Sequence, residues 1–209
     1  MAWSPDGPSS SPRRGSRLAG GGDDGSVCLW QASDGTLLQQ FEGHRGRVAS
    51  VAWSPDGSRL ASGGGSSGSG EIFVWDALSG ERLYTLNEPS EIVCALARGP
   101  TGSVLVSGGG DGMLRWWDLR HGECVRVRKA HQGAVQSLKH SPDGRRLASC
   151  GYDGVINVWD LQSGELLQTL RRDRPYERLD ITGIRGLTQA QKATLRALGA
   201  IEDAAVDSP

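Results

Sequence analysis

The chain has 209 residues, 37% of them hydrophobic and 31 of them glycine, and its 23 Lys+Arg against 24 Asp+Glu leave a net charge of −1. That length accommodates one domain of about 170 residues plus a tail, and the near-neutral balance offers no basic stripe of the kind that tracks nucleic acid. No run of eighteen apolar residues is present to span a membrane, and no charged segment followed by an apolar one opens the chain as a secretory signal.

The predicted elements recur in chain order. The first is a short apolar segment, Met1-Ala2-Trp3, followed by Ser4-Pro5-Asp6-Gly7. Proline presets one turn dihedral and glycine supplies positive φ, so this block reverses the chain tightly. A strand over residues 27–30 then leads into Trp30-Gln31. The second copy has an alternating segment over 48–53, the turn Ser54-Pro55-Asp56-Gly57, a strand from Arg59 and a strand into Trp75-Asp76. After Ser79-Gly80-Glu81 comes a fourth strand over 82–86. The third copy has the degraded turn Gly99-Pro100-Thr101-Gly102 and ends on Trp117-Asp118. The fourth repeats the full set, with Val135 opening its first strand, Ser141-Pro142-Asp143-Gly144, Trp159-Asp160, Ser163-Gly164-Glu165 and a last strand over 166–170. From Trp30 to Trp75 is 45 residues, and each later step is 42. Short strands of period two between Gly, Pro, Asp and Ser turns predict antiparallel hairpins, and a period of about 40–45 residues with four strands per copy predicts propeller blades.

These copies resemble WD repeats, over roughly residues 2–170. The resemblance implies an all-β partial propeller of about four blades of four-stranded antiparallel sheet, at about 1–42, 43–87, 88–128 and 129–170. The first blade is cropped at its inner edge. It also implies a His, Ser/Thr, Asp and Trp joined by hydrogen bonds within a blade. The fourth copy matches in full, with His131, Ser149, Asp153 and Trp159. The second has His44, Ser62 and Trp75, but Ser69 stands where the aspartate belongs. The third has Ser107, Asp111 and Trp117, with Asn87-Glu88-Pro89 in place of Gly-His. The first has Asp24 and Trp30, with Gly20 at the serine position and no histidine. Three of the four copies thus lack the whole network and are expected to be looser than the fourth.

Two insertions interrupt the period: Pro8 to Gly15, rich in Ser, Pro and Arg, and three residues near Ser66-Ser67-Gly68. Both read as hairpin extensions, the first as a mobile loop. After Leu170 a charged stretch over 171–178 leads to Asp180-Ile181-Thr182-Gly183. Thr188 with Gln191 forms a capping box that starts a helix at about 189–198, and Gly199 ends it. So short a helix is marginal alone, so its apolar side is expected to dock, and residues 202–209 are expected to fray. The extension, 171–209, resembles the C-terminal tails of bacterial repeat proteins in which propeller or pentapeptide arrays follow signalling ATPase modules.

Enzyme motifs fail in turn. Gly20-x-Gly22-x-x-Gly25 and Gly63-x-Gly65-x-x-Gly68 match the dinucleotide fingerprint by letter, but a strand follows each where the fingerprint needs a helix. No Gly-Lys-Ser/Thr phosphate loop occurs, and the four histidines have no metal-ligand spacing. His131, Ser149 and Asp153 imitate a hydrolase triad, with the serine expected inside a blade. No catalytic residue, cofactor or metal is expected. Cys28, Cys94, Cys124 and Cys150 are widely spaced and read as reduced, partly buried residues of a cytoplasmic protein.

The resemblance places the binding face on one rim, where Arg47, Tyr152, Arg45, Asp23 and Gln132 fall; exposed Arg and aromatic residues are preferred interface anchors. The function expected is a non-catalytic protein-interaction scaffold or sensor module, the C-terminal part of a larger bacterial signalling protein. The partner is another protein, with no nucleic acid and no membrane. The alternative is a half-propeller that meets its own copy and closes a homo-oligomeric ring.

Overall fold

A computed structural model of the chain describes every residue except 6–15, 67, 89–90, 172–178, 183, 185 and 203–209. The Ser/Pro/Arg insertion, most of the charged stretch after Leu170 and the last residues of the tail lie outside the described residues. Sixteen described strands form four antiparallel sheets, each in plain sequence order. Blade 1 holds β1 (Ala2–Trp3), β2 (Arg17–Gly21), β3 (Val27–Gln31) and β4 (Leu37–Phe41). Blade 2 holds β5 (Val48–Trp53), β6 (Arg59–Ser66), β7 (Ser69–Asp76) and β8 (Arg82–Glu88). Blade 3 holds β9 (Val93–Arg98), β10 (Val104–Gly109), β11 (Met113–Asp118) and β12 (Glu123–Lys129). Blade 4 holds β13 (Val135–His140), β14 (Arg146–Gly151), β15 (Ile156–Asp160) and β16 (Leu166–Leu170).

The turns form for local reasons. In the first turn of blade 2, Ser54 Oγ accepts from Arg59 N at 2.8 Å and donates to the Asp56 carboxylate. Ser141 does the same for Arg146 N at 3.0 Å in blade 4. The aspartate of each Trp-Asp pair caps the next turn: Asp76 Oδ1 accepts from Leu78 N and Ser79 N, and Asp160 Oδ1 from Gln162 N and Ser163 N. These are Asx turns, in which a short carboxylate replaces a backbone acceptor. In every blade the register between the third and fourth strands shifts at the tryptophan, between Leu29/Trp30, Val74/Trp75, Trp116/Trp117 and Val158/Trp159. Such a bulge adds local twist and re-aims the side chain.

Strand alternation gives each blade two apolar faces. The leading face carries the Trp-Asp tryptophan and the leucine opposite it: Leu60 with Trp75, Leu105 with Trp117, Leu147 with Trp159. The trailing face carries the intervening residues. The apolar core is therefore three slabs between blades. Ala19, Val27, Leu29 and Phe41 of blade 1 meet Val48, Val51, Trp53, Leu60 and Trp75 of blade 2. Ala61, Ile72, Val74 and Leu86 of blade 2 meet Val93, Leu96, Leu105 and Trp117 of blade 3. Val106, Leu114 and Trp116 of blade 3 meet Val135, Leu138, Leu147 and Trp159 of blade 4. Each large side chain buried this way contributes roughly 1.5–3 kcal/mol. Polar ties cross the slabs as well: Trp53 Nε1 donates to Ala2 O at 3.1 Å, and Trp116 Nε1 to Leu161 O at 3.0 Å.

One trailing-face position sets how closely blades approach. A Cβ on Gly21 would lie 2.4 Å from Val48 Cγ1, one on Gly63 2.7 Å from Val93 Cγ1, and one on Gly108 2.6 Å from Val135 Cγ1. All three are contacts that real Cβ atoms do not make, so glycine is needed at each junction.

The chain divides into a unit of Met1–Leu170 and a second of Arg171–Pro209. In the second, α1 (Gln189–Ala197) starts on the Thr188 capping box, with Gln191 N donating to Thr188 Oγ1 at 3.2 Å. The helix itself has no buried residue, so the expected docking of its apolar side is not what orders this unit. Ile181 and Ala200 are buried instead, Ile181 N donates to Ile201 O at 2.8 Å, and Lys192 pairs with Glu202 at 2.6 Å.

The glycine junctions carry a prediction. Gly108→Ala is expected to destabilise the protein by about 1–3 kcal/mol through overpacking against Val135. A urea midpoint unchanged from the parent would show that the blades do not meet as described.

Candidate functional site: the blade network and the rim it holds

The four residues expected in blade 4 come together. Trp159 Nε1 donates to Ser149 Oγ at 2.9 Å, Ser149 Oγ lies 2.8 Å from His131 Nε2, and His131 Nδ1 lies 3.0 Å from Asp153 Oδ1. Indole is a donor only and a carboxylate an acceptor only, which with a single ring proton fixes the tautomer. Ser149 must donate to Nε2, and the neutral imidazole must carry its proton on Nδ1 and give it to Asp153. His131 and Ser149 are buried. Asp153 also accepts from two backbone groups, Gln132 N at 2.9 Å and Val155 N at 3.1 Å. Burial alone would raise the Asp153 carboxyl, but these donors and His131 hold it below the ordinary value. Ser149 is 1% exposed, with its hydroxyl engaged on both sides inside the blade.

Blade 2 departs from the sequence reading. Ser69 does not take the acid position: it opens β7 opposite Ser66, because the insertion lengthens the β6–β7 hairpin. Glu71 takes the role. Trp75 Nε1 donates to Ser62 Oγ at 2.8 Å, Ser62 lies 2.7 Å from His44 Nε2, and Glu71 Oε2 stands 3.5 Å from His44 Nδ1. Glu71 Oε2 accepts from Arg45 N at 2.9 Å, the same service that Asp153 gives Gln132. His44 Nδ1 itself has no hydrogen-bond partner. Its ring lies 4.3 Å from the Phe73 ring, and burial pushes its pKa below the ordinary value against the pull of Glu71.

Blade 3 keeps Trp117 Nε1 donating to Ser107 Oγ at 2.9 Å. Its Asp111 pairs with Arg115, a buried strand residue, at 2.7 Å. Arg115 stands where blade 2 has Phe73 and blade 4 has Asn157. In blade 1, Asp24 accepts from Ser26 N and Ser26 Oγ, and Trp30 lies against Gly20, where blades 2–4 have serine. The sequence reading missed Glu71, Arg115 and Asn157. Glu71 and Arg115 were visible as charged residues at inward strand positions, an exception to burial preferences that calls for a partner.

The rim residues are all exposed. Arg45 and Arg47 lie between β4 and β5, Asp23 between β2 and β3, Gln132 between β12 and β13, and Tyr152 between β14 and β15. Backbone bonds weld these loops in pairs. Val48 N donates to Gly22 O at 2.9 Å, and Tyr152 N to Ala134 O at 3.0 Å. The result is two groups, Asp23 with Arg45 and Arg47, and Gln132 with Tyr152. Away from the rim, β1, β5, β9 and β13 line a cavity of about 520 Å³ with Arg98, Lys139 and His140 in its wall. Arg98 is buried, with Nε and Nη1 unbonded, and burial lowers its pKa to about 10. Among the described residues no three His, Cys, Asp or Glu side chains gather as a metal site.

Two outcomes follow from this geometry. Asp153→Ala is expected to cost about 1–3 kcal/mol by stranding the His131, Gln132 and Val155 donors, read as a lowered urea midpoint. Because the His44 pKa is depressed in the fold, the stability it contributes is complete above the unfolded value of about 6.5 and drains away as pH falls below it. His44→Gln should flatten that part of the stability-versus-pH curve, and an equally steep fall in the variant would clear His44 of the effect.

The comparisons agree with this architecture. The family model for the WD domain, G-beta repeat, matches residues 1–31, 35–76, 80–118 and 122–160, well over half the chain, and each of the last three matches takes in the outer strand of one blade and the first three strands of the next. A WD repeat-containing protein of Schizosaccharomyces pombe is 51% identical over 45 residues, 22% of this chain and 10% of its own length. A U5 small nuclear ribonucleoprotein 40 kDa protein of Pongo abelii is 38% identical over 55 residues, 26% of this chain and 13% of its own. Ribosome assembly protein 4 of Chaetomium thermophilum is 44% identical over 50 residues, 24% of this chain and 10% of its own. Each match thus spans about one repeat and a small part of a longer protein. Four sheets in sequence order, a tryptophan–serine bond in three of them and four consecutive family matches place this chain in the WD-repeat family, as a partial propeller of four blades.

Proposed function

We propose that this chain is a non-catalytic scaffold that holds a protein partner on the rim formed by Arg45, Arg47, Asp23, Gln132 and Tyr152. One observation carries the reading: in blades 2 and 4 the carboxylate beside the buried histidine also grips the rim backbone. Asp153 binds Gln132 N and Glu71 binds Arg45 N, each at 2.9 Å. The loops are thereby held in one shape while Arg45, Arg47 and Tyr152 stay open to solvent, and preorganised anchors of this kind lower the ordering cost of binding. WD repeats generally mediate protein–protein contacts, which supports the same class of activity.

The finer setting is also a proposal. Two of the relatives carry names of ribonucleoprotein or ribosome assembly, which favours a place in a multi-protein assembly. The bacterial signalling reading has the resemblance of the tail, including Asp180, Ile181 and the helix from Gln189, as its support. Four free cysteines suit a reducing, cytoplasmic setting.

A photo-crosslinker placed at Tyr152 is expected to capture a discrete protein adduct, while one at Asp143, in a first-turn loop, captures none. Arg47→Ala and Tyr152→Ala should each weaken that partner by about 1–2 kcal/mol. Equal capture at both positions, or binding indifferent to both variants, would remove the rim from the account.

A further inference from the structure

One buried cation in the middle of the array lacks a counter-charge. Arg98 ends β9 at the level where blade 2 has Trp53 and blade 4 has His140, each opposite a leucine of the second strand. It is 5% exposed. Its Nη2 donates to Gly102 O at 3.0 Å, while Nε and Nη1 are buried without a partner. A guanidinium is a donor only, so most of its bonding capacity is unused here. A charge taken out of water without a partner is destabilising, and a bound anion offsets that cost.

Arg98 lines a cleft of about 550 Å³ between the first-turn loops of blades 2 and 3, together with Pro55 and Arg59 of the one and Pro100, Thr101 and Ser103 of the other. The carboxylates that act on these cations are already engaged. Asp56 attracts Arg98 but accepts from Ser54 Oγ, Ser58 N and Ser58 Oγ. Asp76, which feels Arg59, accepts from Leu78 N and Ser79 N. Among the described residues no carboxylate forms an ion pair with either arginine. Burial, and then repulsion from Arg59, hold the Arg98 pKa down. Thr101 Oγ1 and Ser103 Oγ stand 2.9 Å apart, so one hydroxyl donates to the other and the second keeps its proton for a further acceptor.

We propose that this cleft binds a phosphate group, with Arg98 and Arg59 supplying positive charge and the Thr101–Ser103 hydroxyl pair a neutral donor. Because Nε and Nη1 of Arg98 are shielded from water, their attraction for an anion in the cleft is weakly screened. The donors come from two blades and from different walls. That arrangement suits the several oxygens of a tetrahedral dianion better than the two coplanar oxygens of a carboxylate, and arginine is the side chain best matched to phosphate. A free phosphate ion and a phosphorylated side chain present this chemistry alike. The cleft lies at the β5–β6 and β9–β10 turns, at the opposite strand ends from the rim, so the rim reading and this inference stand or fall separately.

Isothermal titration of the 209-residue protein with inorganic phosphate, at an ionic strength fixed with chloride, is expected to show saturable binding at a single site. Arg98→Met should abolish it. The same variant, free of phosphate, should have a urea midpoint equal to or above that of the parent, because an apolar side chain replaces an uncompensated buried charge. Arg59→Ala should weaken binding about tenfold. Arg145→Ala, at an exposed arginine beside the first turn of blade 4, should leave it unchanged. An alanine-flanked phosphoserine peptide that binds more tightly than inorganic phosphate assigns the group to a protein side chain, and equal or weaker binding assigns it to the free ion. The same peptide with glutamate in place of phosphoserine should not bind. Absence of saturable binding by both phosphate and the peptide, binding retained in Arg98→Met, a lowered midpoint in that variant, an equal loss in Arg145→Ala, or equal binding of the glutamate peptide would each overturn the proposal.

Discussion

The structure depends on one constraint: a four-stranded blade buries its apolar side chains only against another blade. The buried apolar side chains of β3, β7, β11 and β15 are divided among the three slabs between sheets. Stability is then close to a sum over blades and their junctions, as in other stacked arrays. The glycines at 21, 63 and 108 set the spacing of every slab, since the valine of the next blade occupies the place of their side chains. The tryptophans define the other wall. An indole packed there must satisfy its N–H, and Ser62, Ser107 and Ser149 do so from inside the same blade. The polar chain therefore orients the apolar one, and neither is separable from the other.

Comparison among the blades shows what the network must supply. The serine is the same in three blades, but the charged end varies. Blade 4 uses a loop aspartate, blade 2 a strand glutamate, and blade 3 an aspartate paired with a buried arginine. Blade 1 has neither serine nor histidine, and its tryptophan is the least buried of the four. What persists between blades 2 and 4 is a carboxylate positioned to accept from the backbone that enters the inner strand. A charge-assisted bond of that type is stronger than a neutral one. The carboxylates are largely removed from water, with 14% and 18% of the Glu71 and Asp153 side chains exposed, and the backbone donors offset that desolvation. The same group thus stabilises the blade from within and fixes the loop outside.

Much of this was legible in the sequence because its signals are local. The tryptophan period, the Ser-Pro-Asp-Gly turns and the Thr188–Gln191 capping box each specify conformation within a few residues, and strands and helix fall where those signals put them. The misreading of Ser69 has a physical origin. Counting along the chain assumes a constant hairpin length, but the β6–β7 ladder runs on to the Ser66–Ser69 pair and carries the acid two residues further, onto a strand. Arg115 was visible as a charge on an inward strand position, but its pairing with Asp111, four residues before it in the turn, appears only once the hairpin is folded. Exposure of Ile156, Leu170 and Trp3 comes from their place on the first and last blades and not from residue type, since the equivalent strand positions are buried in neighbouring blades.

The two groups of rim residues are physically linked through the blades between them. The two rim groups sit on opposite ends of the array, Asp23, Arg45 and Arg47 at blades 1 and 2, Gln132 and Tyr152 at blade 4. Their separation is transmitted through the slabs on either side of blade 3. A partner that touches both groups gains affinity from anything that stiffens those slabs, and by linkage its binding stabilises them in return.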